Sequence, residues 1–478
     1  MYKKALLCFF IFLTFYSHLS QAQIQYQLVN NKAIALGGYG RVGFGWNYEN
    51  NGSIGQKLNL LNMGSIGGRM EEQDYLELVN VIKFKPKNND STDIHVQTRF
   101  SVYSQSLNLF GNTSSSSFQG LTLAVPEIFV LARDIKGLPL NVWVGARLYR
   151  GEDVHIADHF YFNDHSGQGF GVEYKDTRFT TIFVSSTDTA STLPPSFFIN
   201  IQSGTPSLAL RGRFVYALEQ DFPITPYSTV TGLLEFQHLE NANDQDLEVL
   251  PDSIRKLVNY PSDNGWVLGA RLNKIHSTLL DGSYSNLSLR YGSRIANGGD
   301  GGVSRTYLTF GAPDLNSQKF EGAYSWSFVA HSVLNLNPKL TTAGYIIYTK
   351  SKGAAKSNDM APTFLGQEVL NKKEDFTIGG RATHYLTDLF HLFWELHYSQ
   401  RKDGTIDPAS VVKFSLAPTI APTQERSQWA RPHLRFVFSL ARYNDQAKET
   451  LYSPYLQFAG EKRWGHYLGI KAEWWMWD

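Results

Sequence analysis

Alternation is the property that most limits what this chain can become. Apolar and polar residues exchange places in runs of about ten, the length with which a tilted strand crosses a bilayer. From Tyr39 to Trp46, Val42, Phe44 and Trp46 share one face, against Tyr39, Arg41, Gly43 and Gly45. From Tyr75 to Phe84, Leu76, Leu78, Ile82 and Phe84 oppose Tyr75, Glu77 and Lys83. From Trp429 to Leu440, Leu434, Phe436, Phe438 and Leu440 oppose Trp429, Arg431, His433 and Arg435. The last run, Tyr467 to Trp477, sets Leu468, Ile470, Ala472, Trp474 and Met476 against Lys471, Glu473, Trp475 and Trp477. A half-buried soluble sheet alternates as well. Here the apolar faces end in aromatic residues, as interfacial girdles do, and the polar faces carry large rings beside charges, which suits a lumen. The expectation is an all-β chain forming a transmembrane antiparallel β-barrel. The alternative is a secreted β-sandwich that binds carbohydrate.

The N-terminus reads as an export signal. Lys3 and Lys4 precede the apolar run Ala5 to Phe15, and Ser20-Gln21-Ala22 supplies a small-x-small cleavage site. Residues 1–22 are therefore expected to be a signal peptide, and 23–478 one barrel domain. Cys8, the one cysteine, falls in the leader, so the exported chain is expected to use neither disulfide nor thiol chemistry. After the leader no apolar run approaches the roughly 18 residues of a membrane helix. Two homes fit: solution outside the inner membrane, or the outer membrane, spanned by a closed barrel. The formal net charge of +1, from 44 Lys+Arg against 43 Asp+Glu, argues against a nucleic-acid surface.

Polar connectors lie at Asn88 to Thr92, Asn112 to Ser117, Ser185 to Pro195, Glu240 to Asp246, Asn297 to Gly302 and Lys350 to Asp359. They alternate with shorter turns such as Lys136-Gly137 and Asn337-Pro338. Long loops at one end and short turns at the other is how membrane barrels are connected. At roughly 25 residues per strand and connection the chain allows about 18 strands, enough for an open lumen. No domain linker, low-complexity tract or separate N-terminal plug is visible.

One stretch breaks the alternation. Arg147 to Glu173 packs Arg147, Arg150, Glu152, Asp153, His155, Asp158, His159, Asp164 and His165 among Tyr149, Phe160, Tyr161 and Phe162. Charges of both signs beside rings suit a surface that grips a neutral, hydroxyl-rich molecule. An enzyme reading finds no HExxH, no GxSxG and no cysteine ligand set, so no catalytic residue, metal or cofactor is expected. The acidic loop Asn241 to Glu248 lacks a recognised calcium spacing and reads as a solvated loop.

At these residues the chain resembles the maltoporin family, the sugar-specific porins of the outer membrane. The resemblance rests on GGYGRVGFGW (37–46), RMEEQDYLEL (69–78), GARLYRGEDVHIADHFYF (145–162), SQWARPHLRFVF (427–438) and LGIKAEWW (468–475). It implies an 18-stranded barrel, a homotrimer, and a third loop folded inward as a constriction, here 147–173. It also implies a slide of aromatic side chains down the lumen. Tyr39, Tyr75, Trp429 and Trp475 fall on slide positions, with Tyr284 a further candidate. Phe110 is the candidate for a ring reaching over from a neighbouring subunit. Arg41, Arg69 and Glu77 match the polar track and Asp158 the constriction aspartate. Arg150 lies one position from a family arginine whose aligned place is Gly151, and Phe160 stands where the family has a tyrosine. Another track arginine is missing near Pro126-Glu127, and the family's first-loop disulfide is absent. By resemblance the function is facilitated diffusion of maltose, maltodextrins or related oligosaccharides, with carbohydrate and outer-membrane lipid as partners. A general size-selective porin is the alternative.

Overall fold

The computed structural model describes residues 24–28, 32–48, 55–84, 86, 91–104, 121–186, 198–199, 211–241, 261–298, 307–362 and 368–475. The predicted leader, Phe110, Trp477 and most of the acidic loop after Asn241 lie outside them. Eighteen strands among the described residues build the wall. They are β1 (Lys32–Trp46), β2 (Tyr75–Phe84), β3 (Asp93–Ser104), β4 (Leu121–Arg133), β5 (Leu140–Arg147) and β6 (Gly167–Tyr174). There follow β7 (Thr177–Ser186), β8 (Arg211–Thr225), β9 (Ser228–Leu239), β10 (Asp263–Ile275), β11 (Tyr284–Arg294) and β12 (Tyr324–Asn337). The last are β13 (Leu340–Lys352), β14 (Lys372–Tyr385), β15 (Phe390–Asp403), β16 (Ala409–Ile420), β17 (His433–Tyr443) and β18 (Trp464–Trp475). Each pairs antiparallel with its sequence neighbours, and β18 returns to pair with β1. The barrel is closed, as a sheet must be to satisfy its backbone groups in hydrocarbon.

The closing seam is uneven. β18 accompanies β1 from Tyr39↔Trp475 to Trp46↔Leu468. The rest of that edge of β1 is taken by a short strand, Ile24–Leu28, which pairs from Leu28↔Lys32 to Ile24↔Leu36. No length of β1 from 32 to 46 lacks a strand on this side except around Gly37 and Gly38.

The alternation read from sequence sorts as expected. Phe44, Leu78, Leu268, Leu396 and Phe436 are exposed on the outer, lipid-facing surface, while Glu77, Arg435, Lys471 and Glu473 are buried within. Two expectations need correction. The alternating run from Trp429 is a strand only from His433, so Trp429 and Arg431 sit in the preceding turn. Pro432 in that turn has no N–H to give to a ladder, which fits an irregular segment. Asn88 to Thr92, read with the long connectors, joins β2 to β3 at the end that carries the short turns.

The loops at the other end fold inward. The segment between β1 and β2 buries Leu58, Leu60, Met63 and Met70 against Phe393, Val411, Val437, Tyr443 and Tyr467 of the inner wall. Its polar groups are tied too: Lys413 Nζ donates to Asn59 Oδ1 at 2.6 Å and pairs with Glu71 at 3.1 Å. From the β11–β12 loop, buried Tyr307 donates its hydroxyl to the Ser166 carbonyl at 2.5 Å.

Candidate functional site

The loop between β5 and β6 crosses the lumen. A two-strand hairpin, Glu152–Val154 with His159–Tyr161, is joined by a single 3-10 turn over His155–Ala157. Asp158 closes that turn in the left-handed region, at φ 45°, a conformation aspartate tolerates better than most residues. Val154, Ile156, Ala157, Tyr161 and Phe162 are buried against β8 to β13, which anchors the loop on the far wall. Polar ties add direction: Glu152 pairs with Arg271 at 3.2 Å, and Asn163 donates to Glu219 at 2.7 Å.

On the near wall the predicted rings come together. Tyr39 and Tyr75 have centroids 5.8 Å apart, and Tyr39 and Trp475 5.3 Å. Trp475 Nε1 donates to the Trp429 carbonyl at 3.1 Å, so the turn tryptophan joins the group without being on a strand. Tyr103, which sequence reading missed, extends the series, 6.1 Å from Tyr75 and on the same face as Arg99 and Ser101. Alternation along β3 carried that signal. Tyr284 stands apart, on the far wall, edge-on to His331 at 5.7 Å and packed against the loop cluster.

A charge network runs beside these rings. Arg41 meets Glu72 at 2.5 Å and Arg69 meets Glu72 at 3.0 Å. Arg69 also donates to the Tyr39 hydroxyl at 2.9 Å, and that hydroxyl donates to Glu473 at 2.8 Å. Glu473 is held further by Arg431 at 3.1 Å and by Arg435. Burial alone would raise the Glu72 carboxyl, but the Arg41 and Arg69 charges outweigh it and hold it down, to about 2. Glu77 accepts from Tyr75 at 2.7 Å and pairs with Arg99. Arg99 also meets Glu127 at 2.6 Å, so a neighbouring strand supplies a guanidinium where the resemblance left one missing.

The loop tip reaches this wall. The His155 ring lies 4.9 Å from Trp429, with Arg69 at 3.2 Å from Nδ1 and Arg431 at 3.4 Å from Nε2. Burial and those two cations push His155 well below its ordinary value, which keeps the imidazole neutral. Burial pushes the Asp153 carboxyl up, to about 7, with the Asp158 charge adding to it. Asp158 is raised by burial and by Glu72, against the pull of Arg69 and Arg41. Arg150 stacks over Phe160 at 4.3 Å and stands 3.6 Å from Asp164. A Cβ on Gly151 would lie 1.5 Å from Asn163 Oδ1, so a side chain at that aligned place would have to displace Asn163, while the neighbouring Arg150 brings a guanidinium to the loop.

A closed antiparallel barrel, with an inward loop facing a ladder of rings and charges, is the architecture of an outer-membrane porin. The family model described as LamB porin matches residues 34–476, and the chain belongs to that family. Its place is thus the outer membrane. A maltoporin of Hahella chejuensis (strain KCTC 2396) is 30% identical over 147 residues. That match spans 30% of this chain and 34% of the relative. The solved structure of Salmonella typhi OmpF in complex with daunomycin aligns at TM-score 0.42 and 9% identity, over 95% of this chain and 100% of the other. OmpT of Vibrio cholerae aligns at TM-score 0.38 and 8% identity, over 94% and 99%.

Proposed function

We propose that the protein is a sugar-selective channel, passing maltose, maltodextrins or related oligosaccharides down their gradient along Tyr75, Tyr39, Trp475 and Trp429. The observation that carries this reading is the adjacency of those rings to one network of arginines and carboxylates. A pyranose has apolar C–H faces and a hydroxyl rim. Rings stack on the faces at about 0.5–1.5 kcal/mol each. Arg41 and Arg69 donate to rim hydroxyls, while Glu72 and Asp158 accept, in charge-assisted bonds stronger than neutral ones. Several weak sites in series let a sugar exchange contacts without leaving the path, which conduction requires. The constriction is the loop between β5 and β6, residues 148–166, shorter than the 147–173 read from sequence because Gly167–Tyr174 is wall strand; Asp158, Arg150 and Phe160 are its contacts, and Tyr284 offers a ring on the opposite wall. The family supports a homotrimer, exported by its leader.

The test is block of ion current in planar bilayers. Maltooligosaccharides added to the open channel are expected to reduce the current saturably, with tighter block for longer chains. Current that falls only in proportion to sugar size, without saturation, would assign the protein to general size-selective porins.

A further inference from the structure

The wall carries a groove on its lipid-facing side that the channel function does not use. It has a volume of about 600 Å³ and lies across β10 to β14. Its floor is one row of cross-strand partners. Lys274 faces Ser285, Ser285 faces Ser332, Ser332 faces Gly344 and Gly344 faces Gly380. Leucines and isoleucines form the sides, Leu287 and Leu334 at the β11 and β12 end, and Ile346 and Ile378 beyond.

Three features of this groove ask for an occupant. The first is Gly344. A Cβ built there meets nothing nearer than 3.8 Å, so the wall itself has room for a side chain. A glycine inside a strand weakens it and often marks close approach by another molecule. The second is hydroxyl chemistry on a lipid-facing surface. Ser285 Oγ and Ser332 Oγ are 2.7 Å apart, and His276 Nε2 is 2.7 Å from Ser285 Oγ. The third is charge. Lys274 is exposed, one residue from the end of β10, and forms no ion pair among the described residues.

These features are ordered along the membrane normal. Lys274 and Ser285 lie at the short-turn rim, next to the strand ends Ile275 and Tyr284. Ser332, Gly344 and Gly380 lie further from their strand ends, towards mid-wall. The row therefore climbs from a cation, past hydroxyls, into an apolar trough. We propose that this groove holds one phospholipid of the leaflet at the short-turn side. Its phosphate meets Lys274, one ester carbonyl accepts from Ser332, whose Oγ takes the Ser285 proton and keeps its own to donate, and one acyl chain lies over Gly344 and Gly380.

The experiment is native mass spectrometry of the detergent-purified protein titrated with dioleoylphosphatidylglycerol. Wild type is expected to retain one tightly held lipid per chain. Gly344→Leu fills the trough and is expected to abolish that retention. Gly232→Leu, at another roomy outward glycine whose Cβ would come no nearer than 3.7 Å to Phe222, is expected to leave it intact. Lys274→Ala is expected to weaken retention about fivefold, the worth of one lysine near an anionic lipid. Equal retention in wild type and Gly344→Leu, or equal loss in the Gly344 and Gly232 variants, overturns the proposal. So does a Gly344→Leu protein whose oligomeric state changes while its lipid count does not, since the groove would then be a contact between copies.

Discussion

Tyr39 is the middle ring of the ladder, and two substitutions there separate the work of its ring from that of its hydroxyl. The ring has neighbours at 5.8 Å and 5.3 Å, Tyr75 and Trp475. Tyr39→Ala removes that stacking face from the centre of the path. At about 0.5–1.5 kcal/mol per ring face, the sugar concentration for half-block is expected to rise about two- to tenfold. Tyr39→Phe keeps the face and deletes the hydroxyl that joins Arg69 to Glu473. Neither charge is then stranded: Glu473 keeps Arg431 at 3.1 Å, and Arg69 keeps Glu72 at 3.0 Å. The cost to the fold is therefore about 0.5–1.5 kcal/mol, one net hydrogen bond. Half-block is expected to stay within about twofold of wild type, since the stacking face is intact. The measurement is bilayer current titrated with maltooligosaccharides of increasing length. Equal weakening by the two variants would show that the hydroxyl and its charges carry the affinity, and the stacking argument would fail. Unchanged block in both would remove Tyr39 from the path.

Three further outcomes are expected. Because Asp153 is raised to about 7, its folded form holds a proton that the unfolded chain releases earlier; that stabilising contribution is complete at acid pH and lost as the pH rises through about 7. The constriction gains negative charge over the same window, so cation selectivity from reversal potentials should rise with pH in wild type and stay flat in Asp153→Asn. Lys413→Met strands the buried Glu71 carboxylate at a cost of about 3–5 kcal/mol and should expose Lys57 and Arg69 to trypsin; adding Glu71→Gln should restore protection. Phe160→Tyr returns a hydroxyl to the constriction and should tighten sugar block about two- to tenfold, the range of one net hydrogen bond.

The wall was legible because its physics is local. Side chains two apart share a face, so Phe44 and Phe436 outside, and Tyr39, Glu77 and Arg435 inside, could be assigned from short windows. The inner packing was not legible. Residues 55–74 show no period and several glycines; they are packed by partners such as Lys413, which is 354 positions from Asn59. Arg99 escaped notice for a related reason: its partners Glu77 and Glu127 lie on the strands to either side, and only register aligns them. Trp429 was placed beside the right rings but on the wrong element, since alternation continued by chance through a turn. Tyr284 was on the lumen side as expected, yet sequence spacing carries no information about which wall it faces.

The uneven seam has a consequence for assembly. Tyr39 and Trp475 are cross-strand partners on the first and last strands of the wall, and Tyr39 and Glu473 bond across 434 positions of chain. The ladder is therefore split between the two ends of the polypeptide and does not exist in an open sheet. Contacts so distant in sequence carry the largest loop-closure cost. Saturable sugar block thus doubles as a reporter of barrel closure: a chain inserted but unsealed would leak ions while remaining blind to the oligosaccharide.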